Sequence, residues 1–162
     1  MKDRRPETIT SETPKSLPIL LRHAWYSLNQ AFRRRLSHLG LTPDQFTVLR
    51  NLSEAPGLTQ RELCTRMVSD PNTVAAMTAR MQAEGWIERK VCKEDRRANR
   101  LRLLPTGKRK LTAARRIALG LQDEVSGFLD PDEFQKFLDD VSRLAKSCQA
   151  ALRRSPPKRR KK

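Results

Sequence analysis

Residues 61–109 read RELCTRMVSDPNTVAAMTARMQAEGWIERKVCKEDRRANRLRLLPTGKR, and the fold turns on how this stretch is punctuated. Thr59, just upstream, is followed three residues later by Glu62, the pairing that caps a helix start reciprocally. A short helix from Gln60 to about Met67 is expected, then a two-residue break at Val68 and Ser69. Asp70-Pro71 then places a capping side chain and a first-turn proline at the head of a second helix running to Glu84. Two short helices across a tight turn make a helix-turn-helix. After Gly85 the period changes, because Ile87 and Val91, then Leu101 and Leu103, alternate with charges as strands do. Pairing Val91 with Leu101 or with Leu103 keeps both apolar faces together, and either register leaves residues 93–99 as the loop.

Toward the N-terminus, Leu17, Leu21, Trp25, Leu28, Phe32, Leu36 and Leu39 recur at three- and four-residue spacing and predict a helix over about 16–39. A further helix over about 43–54 starts at the capping sequence TPDQ and rests on Phe46, Leu49 and Leu52. Gly40, Gly57 and Gly85 stand where these runs end, suiting a left-handed terminal residue. Toward the C-terminus, Leu111, Ala114, Ala118, Leu121, Val125 and Phe128 form one seam, with Gly120 a weak point in it. After DPDE, Phe134, Phe137, Val141, Leu144 and Cys148 form another. Three long amphipathic helices exceed what one small core needs, which implies a homodimer built through the chain ends.

The fold class expected is mostly α with a small β-hairpin (α+β), organised around one core of a size that 162 residues at 37% hydrophobic content can support. Residues 1–15 read as a polar arm and 153–162 as a basic tail carrying seven cations. The formal charge of +16 leaves the remainder basic even without that tail, and points to a polyanionic partner such as nucleic acid. No apolar run reaches membrane-spanning length and no secretory leader is legible, so a cytoplasmic protein is expected. Cys64, Cys92 and Cys148 are widely spaced and odd in number, against a disulfide framework or a zinc cluster. With only His23 and His38, and neither a paired nucleophile and base nor a phosphate loop, no enzyme is indicated.

If Val74, Met77 and Met81 turn inward, the 70–84 helix presents Asn72, Thr73, Ala75, Ala76, Ala79 and Arg80 outward. Small alanines allow close approach to a groove floor, while Asn, Thr and Arg reach base edges or phosphates. The competing reading is an ordinary solvated helix face. The hairpin that follows, with its cationic tip, argues for the first, because a ribbon at that position can reach the sugar-phosphate backbone or the minor groove.

On these residues the chain resembles the MarR family of bacterial winged helix-turn-helix regulators. The likeness lies in NTVAAMTARMQAEGWIER, in Asp95 and Arg97 two residues apart, and in LLPTG, where Pro105 stands before Thr106; it covers about 16–152. It implies a DNA-binding lobe over about 43–104 and dimerisation helices over about 16–39 and 106–152. It also implies a bacterial, nucleoid-associated regulator that binds a pseudo-palindromic operator in double-stranded DNA, with repression the commoner outcome. Arg97 would enter the minor groove and Asp95 would aim its guanidinium, offsetting rotamer entropy. The expected DNA-binding set is Thr59, Gln60, Arg61, Asn72, Thr73, Ala75, Ala76, Arg80, Lys93, Asp95, Arg96, Arg97 and Arg100.

A small aromatic or anionic effector would fit a pocket lined by His23, Trp25, Tyr26, Phe46 and Arg50, set against core packing of the same residues. Cys92, among Lys90, Arg100 and Arg102, is in a setting that can sensitise a thiol, which makes a redox-sensing regulator an alternative to an ordinary strand cysteine. ELCTR resembles the metal box of the ArsR repressors, but Arg66 stands where the second cysteine belongs, so neither metal nor cofactor is expected. Cys148, on an apolar seam, is expected to pack. A sequence-tolerant architectural DNA-binding protein, driven by charge, is the rival of another class. A protein-interaction module that has kept the fold and lost DNA is a further rival.

Overall fold

The computed structural model describes residues 16–91 and 99–153. Six helices and one hairpin follow in the order α1 (Leu17–Leu36), α2 (Pro43–Glu54), α3 (Gln60–Met67), α4 (Pro71–Ala83), β1 (Ile87–Val91), β2 (Asn99–Leu103), α5 (Pro105–Ser126) and α6 (Pro131–Arg153). A 3-10 turn at Ser37–Leu39 ends α1, and Gly40 closes it at φ 64°, where a side chain would be strained. The boundaries inferred from capping residues agree with the structure to within a few residues.

Both capping boxes are formed. Thr42 accepts from the Gln45 amide at 3.2 Å while Gln45 accepts from the Thr42 amide at 2.9 Å, and Thr59 and Glu62 repeat the exchange at the head of α3. Each satisfies donors that a helix start leaves without intrahelical partners. Asp70 accepts from the Thr73 amide at 2.9 Å and fixes the start of α4. Between α3 and α4 the chain turns through Val68 at φ 51°, a left-handed conformation rare for a β-branched residue. Its N–H reaches back to the carbonyls of Cys64 and Thr65, which closes α3.

The chain divides into two compact units, Met1–Leu121 and Gln122–Lys162. The first holds the core: Leu36 of α1, Leu49 and Leu52 of α2, Leu63 of α3, Met81 of α4, Ile87 of β1 and Leu101 of β2 are all buried to within 2% of full exclusion. Apolar residues from every element of the helix-turn-helix and hairpin thus share one interior. In the second unit α6 has no buried residue, and Cys148, expected to pack, is exposed in the single chain. Its seam positions have no inner neighbour to pack on within that helix.

The hairpin register differs from both expected ones. Val91 pairs with Asn99, Arg89 with Leu101 and Ile87 with Leu103. The parity is as required, so Ile87 and Leu101 still share the inner face, but the strands are slid by two or four residues. The cause lies outside the hairpin, in residues 57–59. The Leu101 N–H donates to the Leu58 carbonyl at 2.8 Å, the Gly57 N–H to the Leu101 carbonyl at 3.1 Å, and Thr59 bridges Arg100. β2 is thereby held from both edges, and its depth is set by a segment some forty residues upstream.

α5 starts against the hairpin with almost no space between. A Cβ on Gly107 would stand 2.2 Å from the Trp86 carbonyl oxygen, so only glycine fits. One turn on, Lys110 donates to the Leu39 carbonyl and holds its ammonium 4.5 Å from the Trp86 ring centroid. Among the described residues no helix is long and apolar enough to cross a membrane.

Candidate nucleic-acid interface

α4 sorts its residues by the helical period. Val74, Met77, Thr78 and Met81 are buried, whereas Asn72, Thr73, Ala76, Ala79 and Arg80 are exposed and Ala75 is half-buried. Three- and four-residue spacing produces that split, because one stripe of the helix is committed to the core. The outward side offers two amide or hydroxyl side chains, small methyls and a guanidinium, the mixture that base edges and phosphates accept.

The head of α3 adds to it. Thr59 caps, Gln60 is half-buried and Arg61 is exposed. Glu62 has its carboxyl held below the ordinary range, first by the Thr59 amide, then by the Thr59 hydroxyl, with Arg100 and Arg66 helping. Asp70 is lowered likewise by its hydrogen bonds from Thr73. Both acids are therefore held in their charged form by the bonds they make as caps.

Arg100 was expected among cations facing phosphate. Its guanidinium donates to the Gly57 carbonyl at 3.0 Å, so part of its bonding capacity is spent where β2 meets residues 57–59. Cys92, Lys93, Asp95, Arg96 and Arg97 lie outside the described residues. The strands bounding them place their ends at Val91 and Asn99, with seven residues between in sequence.

Two residues that the sequence reading passed over hold α4 to the hairpin. Thr78 is fully buried, and its hydroxyl lies 2.8 Å from the Val74 carbonyl and 3.1 Å from that of Ala75. Arg89 Nη2 donates to that hydroxyl at 3.0 Å, while Arg89 Nε is buried with no partner among the described residues. The signal was available, since Arg89 falls between Ile87 and Val91 on the face that strand alternation turns inward.

Of the five residues proposed for an effector, three lie on α1 and two on α2. Trp25 is 66% exposed on α1, with His23 and Tyr26 half-buried beside it in sequence. Phe46 packs edge-on against Phe32 with centroids 5.1 Å apart, and Arg50 is paired with Glu54 at 2.7 Å. Phe46 thus takes the core-packing role.

Comparison with known proteins agrees with this layout. The MarR family profile matches residues 39–98, from the end of the 3-10 turn to the brink of β2. The transcriptional regulator HosA of Escherichia coli O127:H6 is 29% identical over 126 residues, covering 75% of this chain and 93% of HosA. The uncharacterised HTH-type transcriptional regulator YsmB of Bacillus subtilis is 36% identical over 89 residues, 55% of this chain and 61% of YsmB. Among solved structures, the transcriptional repressor CouR bound to a 23-mer DNA duplex superposes with a TM-score of 0.77 at 26% identity, covering 86% of this chain and 99% of CouR. These relatives are regulators rather than enzymes.

Proposed function

We propose that the chain, which matches the MarR family over residues 39–98 and is similar to the regulator HosA along most of its length, is a winged-helix transcriptional regulator of that family, a homodimeric repressor of a pseudo-palindromic operator released by a small effector. One winged helix serves each half-site, with half-site centres about one helical turn of DNA apart. α4 enters the major groove, and the loop between β1 and β2 carries Arg97 to the minor groove with Asp95 beside it. The observation that carries this reading is the outward side of α4, where Asn72, Thr73, Ala76, Ala79 and Arg80 are exposed above a buried stripe. CouR, of the same fold, is a repressor bound to duplex DNA. Dimerisation is supported by large apolar side chains left open in the single chain: Leu17, Leu21, Trp25 and Leu28 on α1, and Phe137 and Val141 on α6. Patches of that kind mark association surfaces.

Selection of binding sites from random duplex tests the proposal, followed by competition with excess random DNA at physiological salt. A regulator keeps a preferred inverted repeat under competition. The formal charge of +16 favours a second reading, an architectural protein that binds duplex without sequence preference. Loss of all preference under competition is the outcome that reading requires.

A further inference from the structure

The C-terminal end of α2, the last residues of β2 and the first turns of α5 surround a cleft of about 500 Å³, within the size range of small-molecule sites. Three cations rim it: Arg102 from β2, and Lys108 and Arg115 from α5. Lys108 and Arg115 are two turns apart on one side of their helix, so their charges converge on the opening instead of circling the helix. Among the described residues the side chains of these three make no hydrogen bond or salt bridge. The acids that could have neutralised them are engaged elsewhere. Glu54, whose carboxyl feels Arg115, is bonded to Arg50 at 2.7 Å. Glu88, the cross-strand partner of Arg102, is bonded to Lys90 at 3.2 Å.

The floor decides the kind of ligand. Leu52 and Leu111 line the cleft but are only 1% and 3% exposed, so its apolar surface comes from half-buried Leu103 and exposed Pro56 and is outweighed by the polar and charged groups around it. Ser53 contributes a hydroxyl from α2. A shallower hollow along α5 shares Lys108 and adds Arg109 and Arg116, which raises the positive potential at the mouth. Planar guanidinium groups accept phosphate oxygens in pairs, and an ammonium adds a point charge. We propose that this cleft binds a small, multiply charged anion, a metabolite bearing a phosphate or diphosphate group. The site is separate from the outward side of α4, and its occupancy stands whether or not the chain represses.

Inorganic pyrophosphate titrated calorimetrically into the full-length chain at constant ionic strength tests this. The expected result is saturable binding at one site per chain, weakened about tenfold or more by Arg102→Gln or Arg115→Gln, each losing one charge-assisted contact. Arg33→Gln with Arg34→Gln, on α1, leaves it unchanged, and thermal melting shows whether each variant is folded. Lys108→Gln gives a third, independent loss at a surface position. Absence of saturation, or equal weakening by the α1 pair, overturns the proposal in favour of diffuse charge. If Arg102→Gln and Arg115→Gln weaken a random duplex as much as pyrophosphate, the cleft is a nucleic-acid surface and the small-anion proposal fails.

Discussion

Arg89 Nη2 donates to the Thr78 hydroxyl at 3.0 Å, and this bond crosses from β1 to the buried side of α4. The helix that faces outward with Asn72 and Arg80 is thus held from behind by a polar contact in an otherwise apolar interior. Thr78→Val removes the acceptor and leaves a buried guanidinium edge without it, for a loss of roughly 1–3 kcal/mol in urea unfolding. Combining it with Arg89→Met recovers part of that loss, because both polar partners are then absent. Additive losses in the cycle would show that the two side chains are uncoupled.

Val68 at φ 51° holds a left-handed conformation in the turn between α3 and α4, with its side chain 74% exposed. Little packing is lost by removing it. Val68→Gly is expected to raise stability by about 1 kcal/mol through relief of the steric cost. A drop in the unfolding midpoint would mean that the valine makes a contact outweighing its strain.

Two glycines of α5 predict opposite responses to alanine. At position 107 the added methyl meets the Trp86 carbonyl oxygen at 2.2 Å, whereas at 120 nothing lies within 4 Å. Gly107→Ala should destabilise by roughly 1–3 kcal/mol or more, as overpacking does. Gly120→Ala should stabilise by about 0.5–1 kcal/mol, the ordinary helix-interior gain. Thermal unfolding at fixed protein concentration reads both.

The caps of α3 and α4 give a sign for acid sensitivity. Glu62 and Asp70 titrate below their ordinary values of 4.5 and 3.8, so the folded chain binds fewer protons than the unfolded one across that range. Their contribution is complete above the ordinary values and is lost as pH falls through the lowered ones. Glu62→Gln with Asp70→Asn, which keeps amide caps but no titrating group, should flatten the fall in urea midpoint between about pH 5 and pH 2. An unchanged acid slope would place that sensitivity elsewhere.

Arg80 is exposed in the last turn of α4. Arg80→Ala should weaken binding to the selected operator by roughly 1–3 kcal/mol, as loss of one groove contact does. Binding to random duplex should fall much less. Equal loss on both would assign Arg80 to phosphate alone.

The helix ends were legible because their causes are local: Thr42 with Gln45, Thr59 with Glu62, and Asp70 before Pro71 each act within four residues. The hairpin register was not, because Leu101 is positioned by hydrogen bonds to Gly57 and Leu58 that no strand pattern encodes. Arg89 escaped notice since a charge on an inward strand position is expected to be an error unless its partner is known, and Thr78 is eleven residues away. The split of α4 into buried and outward sides followed directly from the spacing of Val74, Met77 and Met81. Phe46 and Arg50, grouped on chemistry alone, engage neighbours, Phe32 and Glu54, that chemistry alone does not rank.

Gly107 fixes the start of α5 by main chain against main chain. Substitutions elsewhere along the exposed side of that helix therefore change its charge without changing its heading. A lineage of such chains can rewrite which anions gather there while the angle at which the helix leaves the hairpin stays inherited.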